Sequence, residues 1–100
     1  LKEIKKRVGS SVFLVLHGGS GTPVQDLRKS IDIGIRKVNI NTEIRLAYRS
    51  VLEKVLKKKP NEIVPYYLMK EVIEAVAGVV EEKIRECESN KLRTKIELII

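Results

Sequence analysis

The hydrophobic positions change period several times along the chain. Leu1, Ile4 and Val8 recur at helical spacing among lysines and predict the last turns of an amphipathic helix, with Gly9 as its stop. Val12-Phe13-Leu14-Val15-Leu16 follows as a continuous apolar run rich in β-formers. A run without polar alternation suits a strand buried on both faces, so a parallel-sheet strand is predicted over 11–16. His17 to Pro23 reads as a loop. Thr22 before Pro23 predicts a hydroxyl N-cap with proline in the first helical turn. Val24, Leu27 and Ile31 mark the buried face of that helix, over 23–34, and Gly34 ends it. Lys37-Val38-Asn39-Ile40 is a second short strand. Asn41 and Thr42 then offer caps for a long helix over 42–59, where Ile44, Ala47, Tyr48, Val51, Leu52, Val55 and Leu56 repeat at three and four. Lys57-Lys58-Lys59-Pro60 closes it, with cations at the negative end of the dipole and a proline stop. A last helix is predicted over 65–88, with Met69, Val72, Val76, Val80, Ile84 and Cys87 as its apolar stripe.

Strands that alternate with helices mean βα units and a parallel sheet. Two strands are too few to make such a sheet stable with both faces covered. A (β/α)8 barrel typically needs about 250 residues. The fold class expected is therefore α/β: the last two βα units of a TIM barrel, plus C-terminal helices. One barrel segment over 1–100 is expected, with no internal repeat and no low-complexity linker.

Composition narrows the partners. The 100 residues are 43% hydrophobic and 33% charged, as in a folded soluble domain. No apolar run approaches the roughly 20 residues of a membrane span, and no secretory signal is recognisable, so no membrane partner is expected. Cys87 is the single cysteine and forms no internal disulfide, which fits a reducing cytoplasm. The net charge of +7 raises the question of nucleic acid. The basic residues are dispersed, however, and no aromatic residue sits on a strand beside a basic cluster. The stacking platform of a single-strand binder is missing, and no nucleic-acid partner is expected.

Two segments carry candidate chemistry. His17-Gly18-Gly19-Ser20-Gly21 directly follows a strand, which in a barrel is the catalytic face. Its glycines let a backbone approach a ligand and point N–H groups at it, and Ser20 adds a hydroxyl; together these can bind phosphate. The same composition also describes an ordinary tight turn. His17 is either a hydrogen-bonded structural residue or a zinc ligand, since neutral imidazole at a strand end suits that metal. In the second segment, Asn39 and Asn41 would share one side of a strand. Asn41 or Thr42 would cap the following helix, and its free N–H groups could receive an anion.

These residues, in order, resemble class II fructose-bisphosphate aldolase. The resemblance runs through Val15-Leu16-His17-Gly18-Gly19-Ser20-Gly21, Ile33-Gly34, Lys37-Val38-Asn39-Ile40-Asn41-Thr42-Glu43 and Lys83-Ile84-Arg85-Glu86, and covers about residues 8–90. It implies a zinc-dependent (β/α)8 barrel that cleaves fructose 1,6-bisphosphate to dihydroxyacetone phosphate and glyceraldehyde 3-phosphate. It implies that His17 is one of three histidine zinc ligands. Gly18 and Ser20 would hold the phosphate, with a monovalent cation often nearby. Asn39 would contact the hydroxyacetone portion, in a catalytic role, and Asn41 and Thr42 would complete the cradle. It also implies a cytoplasmic glycolytic lyase that forms dimers or tetramers.

His17 is the only histidine, so two of the implied ligands are absent, and the chain alone is expected to be inactive. Ile63-Val64-Pro65 stands where relatives often carry Asp-Pro-Arg, so no arginine is carried over. The ending Cys87-Glu88-Ser89-Asn90, with its tail to Leu98-Ile99-Ile100, departs from the usual Phe-Gly-Ser. Tagatose-bisphosphate aldolase is the neighbouring alternative. A non-catalytic barrel fragment or interaction module is the alternative of another class.

Overall fold

The computed structural model describes residues 1–89. The expected features at Asn90 and in the tail to Ile100 lie outside them. The elements are α1 (Lys2–Val8), β1 (Leu14–Leu16), α2 (Val24–Ile33), β2 (Ile35–Val38), α3 (Thr42–Lys58) and α4 (Pro65–Glu86). The architecture is mixed α/β. The described chain divides into two compact units, one of residues 1–41 together with residues 83–89, the other of residues 42–82.

In the first unit, α1 stops at Gly9, whose N–H donates to the Lys5 carbonyl at 3.1 Å. The Lys5 ammonium folds back over that end and donates to the Gly9 carbonyl at 3.1 Å. β1 and β2 then pair in parallel, with Leu14 beside Ile35, Val15 beside Lys37 and Leu16 beside Val38. α2 joins them and packs on β2, and Leu27 and Ile35 form the buried core of this unit.

Both strands differ from their predicted spans. β2 begins at Ile35 and ends at Val38, two residues earlier at each end than 37–40. Gly34 ends α2 and the chain turns straight into the sheet. Arg36 donates to the Ile31 carbonyl at 2.9 Å, so an exposed cation satisfies an acceptor near the helix end. β1 pairs only from Leu14, because its partner strand begins opposite that residue. Val12 and Phe13 are left outside the ladder, and Phe13 is 77% exposed. The expectation of a strand buried on both faces fails here: Val15 is also exposed.

The N-cap of α2 also differs. Pro23 occupies it with an extended backbone, and no side chain caps the helix. The Thr22 N–H donates to the Gly19 carbonyl at 3.2 Å, which draws Thr22 into the preceding turn instead.

In the second unit, Val55 of α3 and Val72 of α4 are buried. The connection between the helices is closed locally. The Glu62 carboxylate accepts the Val64 N–H at 3.0 Å, and the Val64 carbonyl accepts the N–H groups of Tyr67 and Leu68. The apolar stripes are only partly used: Tyr48, Leu56 and Val80 lie on the predicted faces yet are exposed.

Leu27 is the one fully buried side chain of α2. Leu27→Ala should lower the stability of the chain by about 2–4 kcal/mol in urea unfolding. A loss below about 0.5 kcal/mol would mean that α2 does not supply this core.

Candidate functional site

The register of the two strands places the site. Leu16 and Val38 are the last paired residues, so the segments that follow leave the sheet side by side at its C-terminal end. Two backbone bonds extend the contact beyond the ladder. The Asn39 N–H donates to the Leu16 carbonyl and the Gly19 N–H donates to the Asn39 carbonyl, each at 2.9 Å. His17 and Asn39 are thereby brought together, with Nδ2 of Asn39 3.1 Å from Nδ1 of His17. An amide nitrogen can only donate, so in this contact Nδ1 is the acceptor.

Gly18 and Gly19 adopt different roles in the loop. Gly18 adopts φ 66°, a left-handed conformation that side-chain-bearing residues rarely take. Gly19 is buried against β2: a Cβ there would lie 2.6 Å from Cγ1 of Val38 and 3.2 Å from the Asn39 carbonyl oxygen. Its N–H does not face a ligand, because it is bonded to Asn39. Sequence reasoning missed this role, since nothing in a run of glycines separates the one that packs from those that turn.

Ser20 is the other distinctive member. Its Oγ is buried and has no hydrogen-bond partner among the described residues. Leaving a buried hydroxyl unpaired costs about 1–3 kcal/mol, so this oxygen is suited to a polar group supplied from outside. Asn39 is half-buried and Asn41 exposed; both lie beyond the end of β2, so strand alternation does not put them on one side. Thr42 is exposed and opens α3, in the second unit.

His17 is exposed and supplies one nitrogen donor. Among the described residues no three His, Cys, Asp or Glu side chains cluster as a metal site. The donor chemistry of His17 fits zinc as a single ligand, and further donors would have to come from other polypeptide.

The chain belongs to the class II fructose-bisphosphate aldolase family, whose sequence profile matches residues 1–91. It is similar to a sulfofructosephosphate aldolase of Alkalicoccus urumqiensis, with 39% identity over 95 residues, 94% of this chain and 32% of that protein. It is also similar to a probable fructose-bisphosphate aldolase of Bacillus subtilis, with 38% identity over 86 residues, 86% of this chain and 30% of that protein. The crystal structure of the YdjI aldolase from Escherichia coli K12 matches with a TM-score of 0.59 and 35% identity, over 80% of this chain and 29% of that one. The chain thus spans about a third of the length of these relatives.

Gly19→Ala should destabilise the chain by about 1–3 kcal/mol, because the added methyl must push Val38 away from the loop. Unfolding midpoints measure this, and an unchanged midpoint would contradict the close approach. Cys87, outside the site, is half-buried; burial and then the neighbouring Glu86 push its thiol up, against a smaller opposing pull from Lys83. A raised pKa leaves less thiolate at a given pH. Alkylation at pH 8 should therefore be slower in the native chain than in the denatured one, and equal rates would contradict the burial.

Proposed function

We propose that this chain is the phosphate-binding and metal-donating corner of a class II aldolase barrel. The parent enzyme reversibly cleaves fructose 1,6-bisphosphate to dihydroxyacetone phosphate and glyceraldehyde 3-phosphate. The observations that carry this reading are the His17–Asn39 contact at the C-terminal end of two adjacent parallel strands and, in the loop that follows His17, a buried Ser20 Oγ with no partner among the described residues. That end is where barrel enzymes build their sites, and the last two loops commonly bind phosphate. The exposed Phe13 and Val15 beside a two-stranded sheet support the partial-barrel reading, since a parallel sheet is normally covered on both faces.

In this reading Ser20 donates its hydroxyl to the phosphate of the dihydroxyacetone phosphate half, and Gly18 gives that group access to the backbone. Asn41 adds a polar group to the same phosphate. Asn39 offers its amide to the hydroxyl or carbonyl oxygen next to the bond that breaks. His17 would provide one imidazole nitrogen to zinc, which would supply Lewis-acid polarisation of the ketone. Fixing the phosphate holds the reacting carbons in place. The proton is carried by a carboxylate outside this chain.

A second substrate has a specific observation behind it. The 39% identical relative is named for sulfofructosephosphate, so a phosphorylated sulfofructose is the competing ketose. Relative cleavage rates on the two substrates decide between them.

The test is fructose 1,6-bisphosphate cleavage by the enzyme that carries the whole barrel, with and without a zinc chelator. Cleavage lost on chelation is expected; cleavage that survives it, or none at all, would overturn the reading. In that enzyme Ser20→Ala should raise KM about tenfold or more while changing kcat less, as for the loss of a hydrogen bond to a charged group. A fall in kcat at constant KM would remove Ser20 from phosphate binding.

A further inference from the structure

The turn between α3 and α4 carries the most exposed large apolar side chain among the described residues. Ile63 is 88% exposed, and Tyr66 and Tyr67 follow it at 71% and 55%. The two rings meet edge to face with centroids 4.9 Å apart, so they make one projection. Lys70 lies one helical turn beyond Tyr66, on the same face of α4. Local structure holds the projection. Pro60 and Pro65 bracket the turn, and the Glu62 carboxylate accepts the Val64 N–H at 3.0 Å. Its shape is set in advance, which lowers the ordering cost of binding. Cations rim it: residues 54–71 hold five lysines and two glutamates. Lys57 pairs with Glu53 at 3.0 Å and Lys58 with Glu71 at 3.9 Å. All four side chains are largely open to solvent, and such pairs are weak. Glu62 is taken up by the turn itself.

We propose that this turn is a peripheral docking tip for an anionic lipid surface. Ile63 enters the hydrocarbon boundary. The tyrosine rings sit where hydrocarbon meets headgroups, each with its hydroxyl toward water. The lysines around them meet the negative headgroups. Charge complementarity decides the occupant: an apolar protein groove would leave the lysines without a counterpart. Single-stranded nucleic acid needs ring faces to stack on. Rings on adjacent residues inclined at 67° do not form such a platform. No helix among the described residues is long and apolar enough to cross a membrane, and this contact requires no crossing. The inference does not rest on the aldolase reading and uses none of its residues.

The chain has no tryptophan, so Ile63→Trp places a single fluorescent reporter on the tip. The probe is a vesicle of equal parts phosphatidylglycerol and phosphatidylcholine, with phosphatidylcholine alone for comparison. The full chain carrying Ile63→Trp should bind the anionic vesicle with its emission shifted to shorter wavelength. Salt should weaken that binding, and the neutral vesicle should give no shift. In co-sedimentation of the otherwise native chain, Tyr66→Ser should weaken binding about tenfold. Lys59→Gln and Lys70→Gln should each weaken it roughly fivefold. Circular dichroism checks that each variant keeps its helices, and the reporter reads the contact without removing either tyrosine. No binding to the anionic vesicle, equal binding to the neutral one, or binding with unchanged emission would overturn the proposal. So would an emission shift driven by chain concentration alone, which would seat a second copy on the tip. A shift with single-stranded RNA or polyglutamate and none with vesicles would assign the tip to another partner and overturn it too. Vesicle binding by this chain that is lost in the enzyme carrying the whole barrel would mean that other polypeptide covers the tip, with the same consequence.

Discussion

The candidate site depends on one short stretch of parallel backbone. Leu16 lies beside Val38, and two hydrogen bonds beyond that pair tie Asn39 to Leu16 and Gly19 to Asn39. Each is an ordinary amide–carbonyl bond of modest net worth. Their position gives them weight, because they hold two sequence-distant loops at one edge. Residues 22 positions apart thereby share a side-chain hydrogen bond. Gly19 is the steric condition for this, since any side chain there would meet Val38.

The chemistry of the site follows from what this contact leaves unsatisfied. The backbone groups of Gly19 and Asn39 are taken up in joining the loops. The buried hydroxyl of Ser20 has no partner among the described residues, and the ring of His17 stays exposed. A buried oxygen with no partner among the described residues is a poor element of a structural core. Within each unit the packing among the described residues is thin: the first buries Leu27 and Ile35, the second Val55 and Val72. Large apolar side chains such as Phe13 and Ile63 stand in solvent.

The helices were legible in the chain because their signals are local. Pro60 and Pro65 bracket the turn between α3 and α4, and the three–four repeat runs through both. The candidate site was legible because His17, Ser20 and Asn39 are unusual residues at the ends of apolar runs. Strand limits were harder to read, since a strand's length is set by its partner. Val12 and Phe13 are as β-prone as Leu14, yet nothing in β2 lies opposite them. The Thr22-Pro23 pair misled for a similar reason: the turn over Gly19–Thr22 claims Thr22 before the helix can. The division of the glycines into one that packs and one that turns depends on Val38, and no local pattern contains that information.

The most direct test of the account is a titration of the 15N-labelled chain with dihydroxyacetone phosphate, followed at every assigned amide and at the His17 ring. The account predicts saturable shifts centred on Gly18, Ser20 and Asn39, with the His17 nitrogens moving over the same range. Shifts confined to the lysine-rich segments of α1 and the end of α3, or no saturable shift at all, would contradict it.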